Sequence, residues 1–287
     1  MLAALAVAGA TWHSAASMPE RRSYFASGEI RGRIYVAGGM VGASGKYVTN
    51  LDAFDPARDR WARLPSMPGD ARAAASTVLG GKLWVLGGQT PRGVTRTVRV
   101  YEPRARRWST APPLPAPRYN AAAAALDGKL WIVGGIAGVA PTRSVFVYDP
   151  RTRRWSRGPS LPQALHTEGL VAYDGALWSV GGFDTAGDAV RSVWILDPHG
   201  TRWRAGKRLP RPLAMVGATA AAGSVFAVSE NTFTRFAGGS WSLGPPLDVP
   251  RHALGLFAAD GRLWAIGGCV VPELADSRVV ESLRFRP

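Results

Sequence analysis

The chain has 287 residues, enough to bury a sizeable core, and its 34 Gly, 22 Pro and 11 Trp, with no long amphipathic Leu, Glu and Lys stretch, favour an all-β protein of many short strands. A formal charge of +15 raises nucleic acid as a partner, but the basic residues are nearly all Arg and are spread along the whole chain, so no specific nucleic-acid site is expected. A lone cysteine, Cys269, excludes an intrachain disulfide and reads as a small buried residue.

The chain opens on MLAALAVAGA, whose Ala8-Gly9-Ala10 resembles the small-x-small cleavage site of a secretory signal, although no Lys or Arg precedes the apolar run. Residues 1–10 are read as the remnant of such a signal or as an apolar extension of the first strand. Ten residues cannot span a bilayer, which takes about 20 in a helix. An exported protein is expected, periplasmic or extracellular, or a cytoplasmic one if these residues are not a signal.

From residue 11 onward the chain repeats. With Trp12, Trp61, Trp108, Trp155, Trp203 and Trp241 as phase markers, Pro stands seven residues on in five cases, with Asp248 in the sixth, and Gly stands twenty residues on in all six. Twenty-six residues on comes a glycine pair, from Gly38-Gly39 to Gly267-Gly268, replaced in the fifth repeat by Ser229-Glu230. Each unit reads as four strands: an apolar stretch such as AAAAAL, a Gly-containing turn, KLWIVGG, a variable loop, SVFVYDP, a charged turn and RRWS. A four-stranded sheet of this length is marginal alone, so the units must stack, with Trp as the wedge between them. TWHS at 11–14 matches the last strand of a unit, and RVVESLRF at 278–285 matches a third strand.

The glycine pair, an aromatic such as Tyr101 or Tyr148, six intervening residues and then Trp108 or Trp155 resemble the kelch repeat, over essentially residues 11–287. The resemblance implies a single six-bladed kelch-type β-propeller of four-stranded antiparallel blades, its ring closed by the N-terminal strand joining the C-terminal blade. It specifies fold far better than function, because kelch propellers include enzymes, sugar-handling proteins and protein-binding scaffolds.

Strand direction alternates, so the loops after the glycine pair and after the tryptophan share one face, and the Asp-Pro-Arg turns take the other. The loops MVGASGKYVTN, QTPRGVTRT, IAGVAPTRS, FDTAGDAVRS and CVVPELADSR are unlike one another, as binding loops on a repeated scaffold are. In a kelch ring the entry to each innermost strand lines the channel mouth. Candidate ligand-binding residues there are Arg22, Tyr24, Arg72, Arg118, Tyr119, Asn120, His166, Arg251 and His252. Converging guanidiniums suit a carboxylate; alternatively they bond loop carbonyls and hold blades together. Glu168 could share a side with His166, since strand side chains alternate, and Glu230 stands where blade five lacks its long loop.

An acid or base from Glu168, Glu230 or His166 beside Arg would serve sugar mutarotation or epimerisation, which need only proton transfer to a positioned ring. Some bacterial six-bladed kelch proteins act on sialic acid in this way, a distant resemblance. The copper radical enzymes with kelch repeats are set aside, because one Cys and four scattered His give no copper set, and neither metal nor cofactor is expected. The opposite face gathers Arg58, Arg60, Arg104, Arg106, Arg107, Arg151, Arg153, Arg154 and Arg202, suited to an anionic envelope polymer or lipid headgroups. The favoured reading is a monomeric, non-catalytic binding module whose variable face holds a protein, peptide or glycan. The runner-up is a mutarotase or epimerase of an acidic sugar, an isomerase.

Overall fold

The computed structural model describes residues 11–42, 45–273 and 275–285, so the expected export signal at 1–10 lies outside the described residues. Among the described residues the strands gather into six four-stranded antiparallel sheets, with three short loop ladders and one small three-stranded sheet, and there is no α-helix. Five sheets are each one sequence repeat. In the third, Ala122–Leu126, Lys129–Val133, Val145–Asp149 and Arg154–Arg157 pair in that order, from the innermost strand outward. The sixth is composite: Gly255–Ala259, Arg262–Ile266 and Val280–Arg284 are joined at their outer edge by His13–Ser14, in the register His13↔Ser282 and Ser14↔Glu281. The architecture is that of a β-propeller.

Local chemistry explains the strands. The first hairpin of the third sheet turns on Asp127-Gly128, both left-handed at φ 50° and 71°, which is the two-residue turn whose twist matches its flanking strands. The innermost strands are Ala- and Gly-rich because neighbouring sheets converge towards the axis. A Cβ on Gly169 would come within 2.6 Å of the Ala218 side chain in the next sheet. Farther out the gap widens and is filled by six hydrophobic clusters, each between two adjacent sheets. Phe54 of the first sheet meets Trp264 of the sixth edge-on at 5.1 Å.

The six phase-marking tryptophans all do the same thing. Each indole N–H donates to a backbone carbonyl four residues after the preceding marker: Trp61 to Ala16, Trp108 to Pro65, Trp155 to Pro112, Trp203 to Pro159 and Trp241 to Lys207, at 2.8–2.9 Å. Trp12 donates to Pro245 at 3.0 Å. The indole therefore packs its ring, half-buried in all but Trp12, on one sheet while its polar edge ties that sheet to its neighbour.

Candidate functional site

Between its marker tryptophan and its innermost strand, every repeat runs through the entry segment that the resemblance puts at a channel mouth. The residue twelve after each tryptophan sits in the left-handed region, at Tyr24, Ala73, Asn120, Thr167, Met215 and Ala253, with φ between 50° and 56°. None is glycine. The strain is held by a belt of backbone bonds between these positions: Ala73 to the Tyr24 carbonyl, Asn120 to Ala73 and Thr167 to Asn120, each 2.8 Å, and Ala253 to Met215 at 3.2 Å. A left-handed residue breaks the simple alternation of a strand, so side chains on either side of it need not face one way.

The residue ten after each tryptophan is buried in all six repeats. Three of these are the arginines that the sequence places at the mouth. Arg22 donates to the Asn50 carbonyl at 3.0 Å and pairs with Asp52, which also holds Arg63 at 2.6 Å. Arg251 donates to the carbonyls of Gly267, Val249 and Ala265 at 2.8–3.1 Å and pairs with Glu281. Arg118 donates to the Ser144 carbonyl at 3.0 Å and its hydroxyl at 2.6 Å, with its guanidinium 4.6 Å from the Phe146 ring centroid. All three are at most 1% exposed. Each of the three bonds acceptors of its own repeat, which leaves Arg72 as the arginine of the set that meets solvent. Its guanidinium grips Gln89 at 2.9–3.1 Å and lies over Tyr47 at 5.3 Å.

Glu168 lies inside the seam between the third and fourth sheets. A Cβ on Gly134 would meet one of its carboxylate oxygens at 2.2 Å. Neither oxygen has a hydrogen-bond partner, and burial pushes the carboxyl up to about 8, against the pull of Arg118. Burial in turn brings the Arg118 guanidinium down to about 10, offset by Glu168. His166, two residues before Glu168 and separated from it by left-handed Thr167, instead packs on Phe183 at 5.4 Å, and burial lowers its basicity.

Around the mouth, the half-buried Tyr24 reaches across to Met215, its hydroxyl 3.4 Å from the sulfur, and burial raises its phenol. His252 is 8% exposed; burial lowers its basicity and the charge of Glu230 opposes that. Glu230 is exposed at φ 54° in the two-residue turn between Ser224–Ser229 and Thr232–Ala237, so the long loop of the other repeats is replaced by a tight hairpin. Tyr119 and Asn120 are half-buried in the entry segment of the third repeat. Sequence reasoning did not single out Met215, Gln89 or Asp276, whose carboxylate accepts from Ser23 Oγ and from the Gly42 amide at 2.6 Å. They reach the mouth from different repeats, and spacing within one repeat carries no signal for that. Among the described residues no cluster of three His, Cys, Asp or Glu could hold a metal ion.

Residues 25–238 match the family model described as the KLHDC2/KLHL20/DRC7 Kelch-repeats domain. The chain is 34% identical over 77 residues to F-box protein AFR of Arabidopsis thaliana, covering 27% of this chain and 21% of that protein. It is 35% identical over 75 residues to Kelch repeat and BTB domain-containing protein 12 of Homo sapiens, covering 25% and 12%, and 33% identical over 82 residues to Beta-scruin of Limulus polyphemus, covering 27% and 9%. The aligned stretch thus spans about a fifth or less of these relatives. Among solved structures, one titled "Structure of YjhT" superposes with a TM-score of 0.79 over 92% of this chain and 95% of that one, at 17% identity, a likeness of fold.

Proposed function

The chain belongs to the kelch-repeat family, and from that premise we propose that it is a six-bladed propeller acting as a non-catalytic binding module, with its variable-loop face holding a protein or peptide, or failing that a glycan. The pairing of His13–Ser14 with the last strand and the Trp12 bond to Pro245 support a ring joined by the two ends of the chain. One observation carries the functional reading: Arg22, Arg118 and Arg251 turn their terminal guanidinium nitrogens to acceptors inside the blades. What a ligand meets is the amphipathic set of Tyr24, Arg72, Tyr119, Asn120 and His166, with the unequal loops around it. Aromatic and Arg groups on a rigid scaffold are the usual anchors of such surfaces.

The test is a peptide and glycan array probed with the full chain, followed by affinity measurement on the hits. Arg72→Ala and Tyr119→Ala should each weaken binding about tenfold or more, the size of a loss of about 1.4 kcal/mol, while Arg153→Ala on the opposite face leaves it unchanged. Binding indifferent to both mouth substitutions would refute the assignment.

A second reading, a mutarotase or epimerase of an acidic sugar, rests on Glu168, whose raised carboxyl would still carry a proton at neutral pH beside Arg118. At 5% exposure it would first have to be uncovered to reach a ligand.

A further inference from the structure

The opposite face, with the Arg-rich turns, carries a cleft between the first and second sheets. Its main chamber, 370 Å³, is lined by Arg31, Arg33, Lys82 and Arg104 together with Tyr35 and Pro103. A smaller chamber of 160 Å³ shares Arg33, Tyr35 and Pro103 and adds Arg60, Arg106 and Tyr101. Six basic side chains therefore face two carboxylates, Asp55 and Glu102. Both are occupied: Asp55 by Arg58 at 2.9 Å and Arg33 at 3.5 Å, Glu102 by Lys82 at 3.0 Å. Among the described residues, Arg31, Arg60, Arg104 and Arg106 form no ion pair.

A second observation comes from Tyr101. It is fully buried, and its hydroxyl, in the wall of the smaller chamber, has no hydrogen-bond partner. Burial pushes the phenol up, so it keeps its proton and stands as a donor without an acceptor. A buried polar group left in that state is costly, and an acceptor brought by a ligand would relieve it once the chamber wall is opened to it, as Glu168 would also have to be uncovered. The Tyr35 ring, 6.1 Å from that of Tyr101, gives the cleft an apolar wall beside its charges.

We propose that this cleft binds a phosphomonoester carried on a sugar-sized ring, with the phosphate oxygens in the smaller chamber among Arg60, Arg106 and the Tyr101 hydroxyl and the ring in the main chamber against Tyr35 and Pro103. The excess of cations suits a dianion with three acceptor oxygens better than a carboxylate with two. A chamber of this volume is at the lower end of the range for small-ligand sites. The site is separate from any ligand on the variable-loop face, since it lies on the opposite face, between the first and second sheets.

Calorimetric titration of the full chain with glucose 6-phosphate, inorganic phosphate, glucuronate and glucose tests it, with vesicles containing phosphatidylglycerol as a separate arm. Glucose 6-phosphate should bind most tightly, and less tightly as salt rises. Its affinity should fall at least tenfold in Arg60→Ala/Arg106→Ala and several-fold in Tyr101→Phe. The latter leaves the fold intact, because Phe54 already stands opposite Trp61 in the first sheet as Tyr101 stands opposite Trp108 in the second. Arg151→Ala/Arg153→Ala, which removes equal charge from the same face outside the cleft, should change affinity less than twofold. Equal losses in the two double variants would reduce the site to diffuse charge and overturn the proposal. So would glucuronate binding as tightly as glucose 6-phosphate, or binding confined to the vesicles.

Discussion

Glu168 puts a carboxyl where the other repeats place Phe25, Ala74, Ala121, Val216 and Leu254. Its folded-state value of about 8 lies above the ordinary 4.5, so the folded chain holds a proton that the unfolded chain releases between those two pH values. The stability linked to that proton is complete below pH 4.5 and is lost as pH rises through 8, on the order of 4–5 kcal/mol across the window. Glu168→Gln, which cannot ionise, should match the natural chain in thermal midpoint near pH 5. By about pH 8.5 it should exceed it by on the order of 5–10 °C. A difference that does not vary with pH would show that the carboxyl is already solvated. Arg22 and Arg251 show the limit of reading residues from spacing. Their position ten after the tryptophan is legible, but the left-handed residue two places later decides which way they point. In the sixth repeat that residue is Ala253 and in the first it is Tyr24, types that give no warning of positive φ.

At the scale of the element, the glycine pair ends the second strand of a sheet where the next sheet crosses it. Gly88 donates to the Arg118 carbonyl at 2.7 Å, and a Cβ on Gly87 would stand 2.4 Å from that same oxygen. Gly87→Ala should therefore cost about 3 kcal/mol or more in denaturant unfolding, from backbone strain and collision together. Gly128→Ala, left-handed but with nothing within 4 Å of the added carbon, should cost only about 1 kcal/mol. Equal costs would mean that the seam relaxes freely. The pair was legible because five repeats write it. Its break at Ser229-Glu230 was legible too, and the Glu230 amide still donates to the Arg251 carbonyl at 2.7 Å, so the seam bond outlives the loop. Nothing local marks the cleft lined by Tyr35 and Tyr101, because it exists only where two repeats meet.

For the whole molecule, the phase of the six tryptophans was enough to foresee stacked four-stranded sheets, because each indole has both a sheet to fill and a neighbour to bond. The proposed ring makes a covalent prediction. With Cys269→Ser to remove the native thiol, His13→Cys/Ser282→Cys places thiols on register-matched residues of adjacent antiparallel strands, within disulfide reach. Mild oxidation of the folded protein should crosslink the two ends and raise the thermal midpoint by several degrees; a chain that crosslinks only when unfolded would exclude the closure.

What the propeller is for turns on whether the proposed variable-loop face holds a ligand or transforms one. The most direct measurement is the rate of anomer interconversion of N-acetylneuraminate, followed by NMR with the full chain. The binding-module account predicts the rate of buffer alone. Acceleration by the chain that Glu168→Gln abolishes would contradict it and place an isomerase in the seam between the third and fourth sheets.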